Sequence, residues 1–176
     1  MTSITIVVGA GGFPTYASLQ LNEGNTTTYF GFGPVIHFPE AMDQADVVTL
    51  PSGSSPVGAV HGYDNTEVQY VNAGHYNVSS YSIEVPLESA GTIRDVLKSA
   101  SDQYLLDHPL YDFLDNRICT DYVLYLAEKA IPGSNLWELS RLPVALKDQL
   151  GHRGGDVHPP HANSQVQLGS QQMWIE

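Results

Sequence analysis

The sequence predicts an α+β fold, an antiparallel sheet with helices packed on one side. Two observations predict it. β-Branched and alternating runs crowd the first half of the chain, punctuated by Gly, Pro and Asn. From Leu87 onward apolar residues instead recur at helical spacing. The 176 residues suffice for one domain with a real core, and 42% hydrophobic against 15% charged residues marks a globular chain.

Ile4–Val8 is a β-branched run, broken by Gly9-Ala10-Gly11-Gly12. Thr15–Leu21 alternates, with Ala17, Leu19 and Leu21 on one side and Tyr16, Ser18 and Gln20 on the other. A turn at Asn22-Glu23-Gly24-Asn25 leads into Thr26–Phe32, so the two form a hairpin, read with Leu21 opposite Thr26. Residues 35–60 are read as irregular, on the strength of Pro39, Pro51, Pro56 and a Ser-rich stretch. Val57–Tyr63, Glu67–Val71 and Ser79–Val85 read as further strands. Leu87–Tyr104 is expected as one helix with Ser89 as N-cap and Ile93, Leu97 and Ala100 on its inner face. A second helix spans Cys119–Ala130, stopped by Ile131-Pro132-Gly133, and Pro143–Leu150 makes a short third. Residues 1–150 are expected to form the single domain, and 151–176 a polar, flexible, Gly/Pro/His-rich tail.

The net charge of −12 disfavours nucleic acid and anionic membrane surfaces as partners. No apolar run approaches the ~20 residues that span a bilayer. Met1-Thr2-Ser3-Ile4-Thr5 lacks the basic start of a signal peptide, so the expectation is a protein made in the cytoplasm; action outside the cell would need a specialised export machine.

Cys119 is the only cysteine. It lies in Asn116-Arg117-Ile118-Cys119-Thr120-Asp121-Tyr122-Val123, a loop running into a helix whose stripe is Tyr122, Val123, Leu126, Ala127 and Ala130. A thiol on the first turn of a helix feels the positive end of the helix dipole, which favours the nucleophilic thiolate. The competing reading is a small buried hydrophobe, as most lone cysteines are. A nucleophile also needs a base and a group to orient that base. Histidine is the usual base. The chain has seven: His37, His61, His75, His108, His152, His158 and His161.

The Cys119 octet resembles the nucleophile motif of NlpC-type papain-like cysteine peptidases and amidases, in which Cys, Ser or Thr, a small or polar residue, an aromatic and an apolar residue open a helix. Tyr111-Asp112-Phe113-Leu114 and Ile131-Pro132 fit the same pattern more loosely. With the strands first and the Cys helix after them, the order is similar to the circularly permuted branch, which includes secreted bacterial toxins. The resemblance implies a permuted papain-like arrangement over residues 4–150. It implies hydrolysis of amide bonds in peptidoglycan peptides, with Cys119 as nucleophile, and no cofactor or metal. The toxin branch implies delivery by a machine such as type VI secretion to a target-cell periplasm, with an immunity or secretion-machine protein as partner.

That branch would place a Gly-His pair at the start of the strand Thr15–Leu21, where this chain has Gly12-Phe13-Pro14-Thr15-Tyr16. Two substitutes are open. In the Leu21–Thr26 register Pro14 nears Gly33, which brings His37 toward the vacated position. His75 precedes the strand Ser79–Val85 and would sit at a cleft edge. The alternatives to a hydrolase are a binding module that has lost its base, or a transacylase or deamidase that keeps Cys119.

Other constellations carry less. His61 and Asp64 form a possible pair on a strand. His152, Asp156, His158 and His161 resemble a metal set, but a Gly/Pro-rich tail rarely holds a zinc ion. Gly9–Gly12 lacks the Lys-Ser/Thr of a phosphate loop. Glu40, Asp43, Asp46, Asp112 and Asp115 read as acidic surface. The ten tyrosines, with Trp137 and Trp174, serve mainly the core.

Overall fold

The hydrophobic alternation of the first strands has a direct structural consequence. In a computed structural model, which describes residues 1–10, 16–34, 43–51, 56–61, 68–72, 77–108, 118–154, 156–158, 165–168 and 171–174, one face of a six-stranded sheet collects the apolar side chains. Its strands are β1 (Thr2–Ala10), β2 (Tyr16–Glu23), β3 (Thr26–Pro34), β4 (Asp43–Pro51), β7 (Asn77–Glu84) and β8 (Asp156–His158), in the order β4-β3-β2-β1-β7-β8. Every pairing is antiparallel. β5 (Pro56–His61), β6 (Val68–Asn72), β9 (Gln165–Leu168) and β10 (Gln171–Trp174) form a second antiparallel sheet, ordered β10-β9-β6-β5.

Register places Ile4 beside Leu21 and Ile83, and Ile6 beside Leu19 and Tyr81. Leu19 in turn faces Phe30. Side chains two apart share a face, so these residues line one side of the sheet, and Ile4, Ile6, Leu19, Leu21 and Phe30 are all but fully buried. Onto them pack α2 (Ile93–Asp107), α3 (Cys119–Ala130) and α4 (Pro143–His152). α2 contributes Ile93, Leu97, Ala100 and Tyr104, and α4 contributes Leu146 and Leu150. Each such fully buried aliphatic side chain stabilises the fold by about 1.5–3 kcal/mol. The molecule is thus an α+β protein with its helices on one side of an antiparallel sheet.

The opposite face is polar but still largely closed. Val7, Ser18, Thr27 and Tyr29 are buried there, and β5 runs close to β1, β2 and β3. Burial pushes the Tyr29 phenol up to about 12. A row of side-chain hydrogen bonds crosses four strands on this face. The Ser82 and Thr5 hydroxyls meet at 2.7 Å, the Asn22 amide donates to Thr5 Oγ1 at 3.0 Å and to Ser3 Oγ at 3.2 Å, and Thr27 Oγ1 donates to Asn22 Oδ1 at 3.1 Å.

Several elements differ from the sequence expectation, each for a local reason. The hairpin turn is two residues long: Glu23 pairs with Thr26 and Leu21 with Thr28, not Thr26. Gly24 takes φ 60° at the first turn position, a conformation glycine adopts without steric cost. The Leu21–Thr26 register is therefore not the one observed, and Pro14 and His37, which the expectation brought together, lie outside the described residues. The region expected to be irregular contains β4, whose Pro51 sits at its last position, where the lost N–H is tolerated. The helix expected over Leu87–Tyr104 is broken at Gly91-Thr92 into α1 (Leu87–Ala90) and α2. Ser89 caps neither; its carbonyl accepts from Thr92 Oγ1. Residues 151–176, expected as a polar tail, contribute β8 to the first sheet and β9 and β10 to the second. Among the described residues no helix is long and apolar enough to cross a membrane.

Candidate active site

α3 forms where the sequence places it, and for the reason given: its apolar stripe faces the sheet. The helix is buried far beyond that stripe. Leu124, Thr120 and Asp121 are closed off as well as Tyr122, Val123, Leu126 and Ala127. Cys119 is its first residue, 2% exposed and packed into the apolar core. Ile118, extended at φ −125°, ψ 179°, precedes it and has no polar side chain with which to cap the helix. The first turn closes through the Tyr122 N–H, which donates to the Ile118 carbonyl at 3.1 Å.

A buried carboxylate two residues after the sulfur organises this helix start. Asp121, 2% exposed, accepts from Arg141 Nε at 3.0 Å on one oxygen and from the Tyr104 hydroxyl at 2.7 Å on the other. Arg141 also donates through Nη1 to the Leu139 carbonyl at 2.7 Å and to the Trp137 carbonyl, and its guanidinium lies 4.1 Å from the Trp137 ring centroid. Thr120 Oγ1 donates back to the Arg141 carbonyl. The two residues that follow Cys119 are therefore both tied to Arg141, one to its backbone and one to its side chain. Arg141 is one of only seven Lys and Arg residues in a chain with nineteen Asp and Glu.

An aromatic group seats the same turn. Phe32 stacks on Tyr122, with ring centroids 5.4 Å apart, and meets Tyr104 edge-on at 5.2 Å. Tyr104 also contacts Tyr122 and Tyr125, and the Tyr122 and Ser101 hydroxyls hydrogen-bond at 2.7 Å. The ring of His108, at the C-terminal end of α2, lies 4.9 Å from the Tyr104 ring centroid. Tyr104→Phe removes only the hydroxyl that donates to a buried carboxylate. It is expected to destabilise the protein by about 1.5–3 kcal/mol, read from urea unfolding with an unchanged m value.

His37 and His75, the two candidate bases, lie outside the described residues. The strand ends that flank them are described. β3 runs from Thr26 through Phe32 to Pro34, and β7 begins at Asn77. Val8 pairs with Ala17 and Ser79, and Gly31 pairs with Ser18, so the end of β3 and the start of β7 share one end of the sheet. Phe32 seats the first turn of α3 at that end. Ser79 sits there too, fully buried, with no hydrogen-bond partner for its hydroxyl among the described residues; such a group marks a place where a polar partner is wanted. Of the other histidines, His61 ends β5, exposed His152 ends α4, and His158 ends β8 beside Val78; His161 lies outside the described residues.

Sequence reasoning passed over Asp121 and Arg141. One signal was present, a charged residue in the first turn of a helix otherwise rich in core residues. Nothing in the sequence announced its partner twenty residues on. Compared with family models, curated proteins and solved structures, the chain matches none.

Proposed function

We propose that the protein is a cysteine hydrolase of amide bonds on a permuted papain-like arrangement, with peptidoglycan peptides as substrate. One observation supports the reading above the others: Cys119 is the first residue of a well-packed helix, where the dipole favours a thiolate and first-turn N–H groups can serve an oxyanion. Cys119 Sγ attacks the scissile carbonyl carbon, and a histidine protonates the amine as the C–N bond breaks. Water then cleaves the thioester and returns the thiol. His75 and His37 are the proposed bases, since the end of β3, which precedes His37, and the start of β7, which follows His75, share the end of the sheet where Phe32 stacks on α3. Delivery to a target-cell periplasm by a specialised secretion system goes with the same proposal.

The test is digestion of purified peptidoglycan followed by fragment analysis. New amine termini in the peptide stems are expected. Their absence at protein concentrations where a cell-wall amidase works to completion would sink the reading.

The 2% exposure of Cys119 favours a second reading, in which this thiol is a core side chain and the domain binds without catalysis. That reading expects no change in partner binding on Cys119→Ala. Transacylation or deamidation by the same thiol would show as acyl transfer, or ammonia release, without stem cleavage.

A further inference from the structure

We propose that Arg141 is a positioning residue for Cys119: it neutralises the buried Asp121 carboxylate and ties the first turn of α3 down through Thr120, so that the positive end of the helix acts on the sulfur undiminished. The inference rests on the reading of Cys119 as the nucleophile. It is carried by one burial and two contacts. Asp121 is buried, its Oδ1 is held by Arg141 Nε at 3.0 Å, and the Arg141 carbonyl receives the Thr120 hydroxyl.

The physical argument is one of sign. A carboxylate two residues from a thiol, inside a region closed to water, opposes ionisation of that thiol. A guanidinium on the carboxylate cancels the effect. Among the described residues, little else near this turn carries charge. β1, β2 and β3 present Ile4, Ile6, Val8, Ala17, Leu19, Leu21, Phe30 and Phe32 to the helices. α2 brings the Tyr104 phenol and the His108 ring, α3 itself the Tyr122 phenol, and the segment ahead of α4 brings Arg141, with Glu138 exposed. Among the described residues Asp121 and Arg141 therefore form the charged pair at this turn, and His108 is the same in every variant.

The chain has one cysteine, so alkylation reports a single sulfur. The rate of iodoacetamide labelling is followed against pH in the wild type, Arg141→Gln and Asp121→Asn. Access to the sulfur scales the whole curve; ionisation sets its midpoint. Arg141→Gln leaves the carboxylate without its counter-charge, and the midpoint is expected to rise by about one pH unit, a tenfold slower reaction on the acid side. Asp121→Asn leaves Arg141 without its anion, and the midpoint is expected to fall. Opposite shifts cannot come from loosened packing, which moves both variants the same way. Midpoints equal to wild type, or displaced in one direction in both variants, overturn the proposal. Should Arg141→Gln fail to fold, a midpoint in Asp121→Asn that stays or rises overturns it alone. A wild-type midpoint at the ~8.5 of an ordinary thiol counts against the hydrolase reading and not against the clamp, whose paired shifts would still be seen.

Discussion

Cys119→Ala is expected to abolish amide hydrolysis, by at least about 10³-fold, while leaving the fold intact. The structure makes the second half of that statement demanding. Cys119 is buried in the core formed by α2, α3 and the sheet, so its truncation removes one sulfur atom from a packed site. The loss corresponds to roughly one methylene-sized group, about 1 kcal/mol. The two readings of this thiol therefore separate on one pair of measurements, fragment release from peptidoglycan and the midpoint of thermal unfolding. A nucleophile gives complete loss of the first with a small change in the second. A core side chain gives a small change in the second and nothing in the first to lose. Cys119→Ser serves as a check, since a hydroxyl keeps the shape and is the weaker nucleophile under the same base.

Arg141→Leu is expected to destabilise the protein by about 3–5 kcal/mol. The change removes the cation that faces a 2% exposed carboxylate, and it also removes donors to the Leu139 and Trp137 carbonyls. Asp121→Leu/Arg141→Leu, which removes both charges, is expected to recover part of the loss, because no uncompensated ion remains inside. By contrast Arg94→Leu, which breaks the ion pair with Glu23, is expected to cost less than about 1 kcal/mol, since both side chains are substantially exposed. Chemical denaturation of the four proteins checks the order. Equal destabilisation by Arg141→Leu and Arg94→Leu would show that the Asp121 site is open to water.

How much of this was legible in the sequence varies with the range of the interaction. α3 was legible to its ends, because Tyr122, Val123, Leu126, Ala127 and Ala130 repeat at helical spacing and Ile131-Pro132-Gly133 stops the run. The faces of β2 were legible from alternation, and β1 from its β-branched run. β4 was not, because Asp43, Gln44 and Asp46 conceal the strand pattern and Pro51 looks like a break, although it only ends the strand. The position of Cys119 at a helix start was legible; its depth was not, because depth depends on Phe32, Tyr104 and the segment before α4, all distant in sequence. The Asp121–Arg141 pair belongs to the same category. No local rule joins residues twenty apart in the chain.

The hydrogen-bonded row Ser82–Thr5–Asn22–Thr27 explains how the hairpin chooses its register. A slip of one residue would turn Leu19 and Leu21 outward, and hydrophobicity forbids it. A slip of two returns every side chain to its own face, so apolar alternation treats the expected and the observed pairings as equals. The Asn22 amide does not. It has both its donor and its acceptor engaged only when Thr5 and Thr27 stand on either side, at the spacing of the two-residue turn. The polar face, which adds nothing to the apolar core, acts as a parity-breaking code: it selects one alignment from a ladder of even-numbered alternatives that the core cannot tell apart.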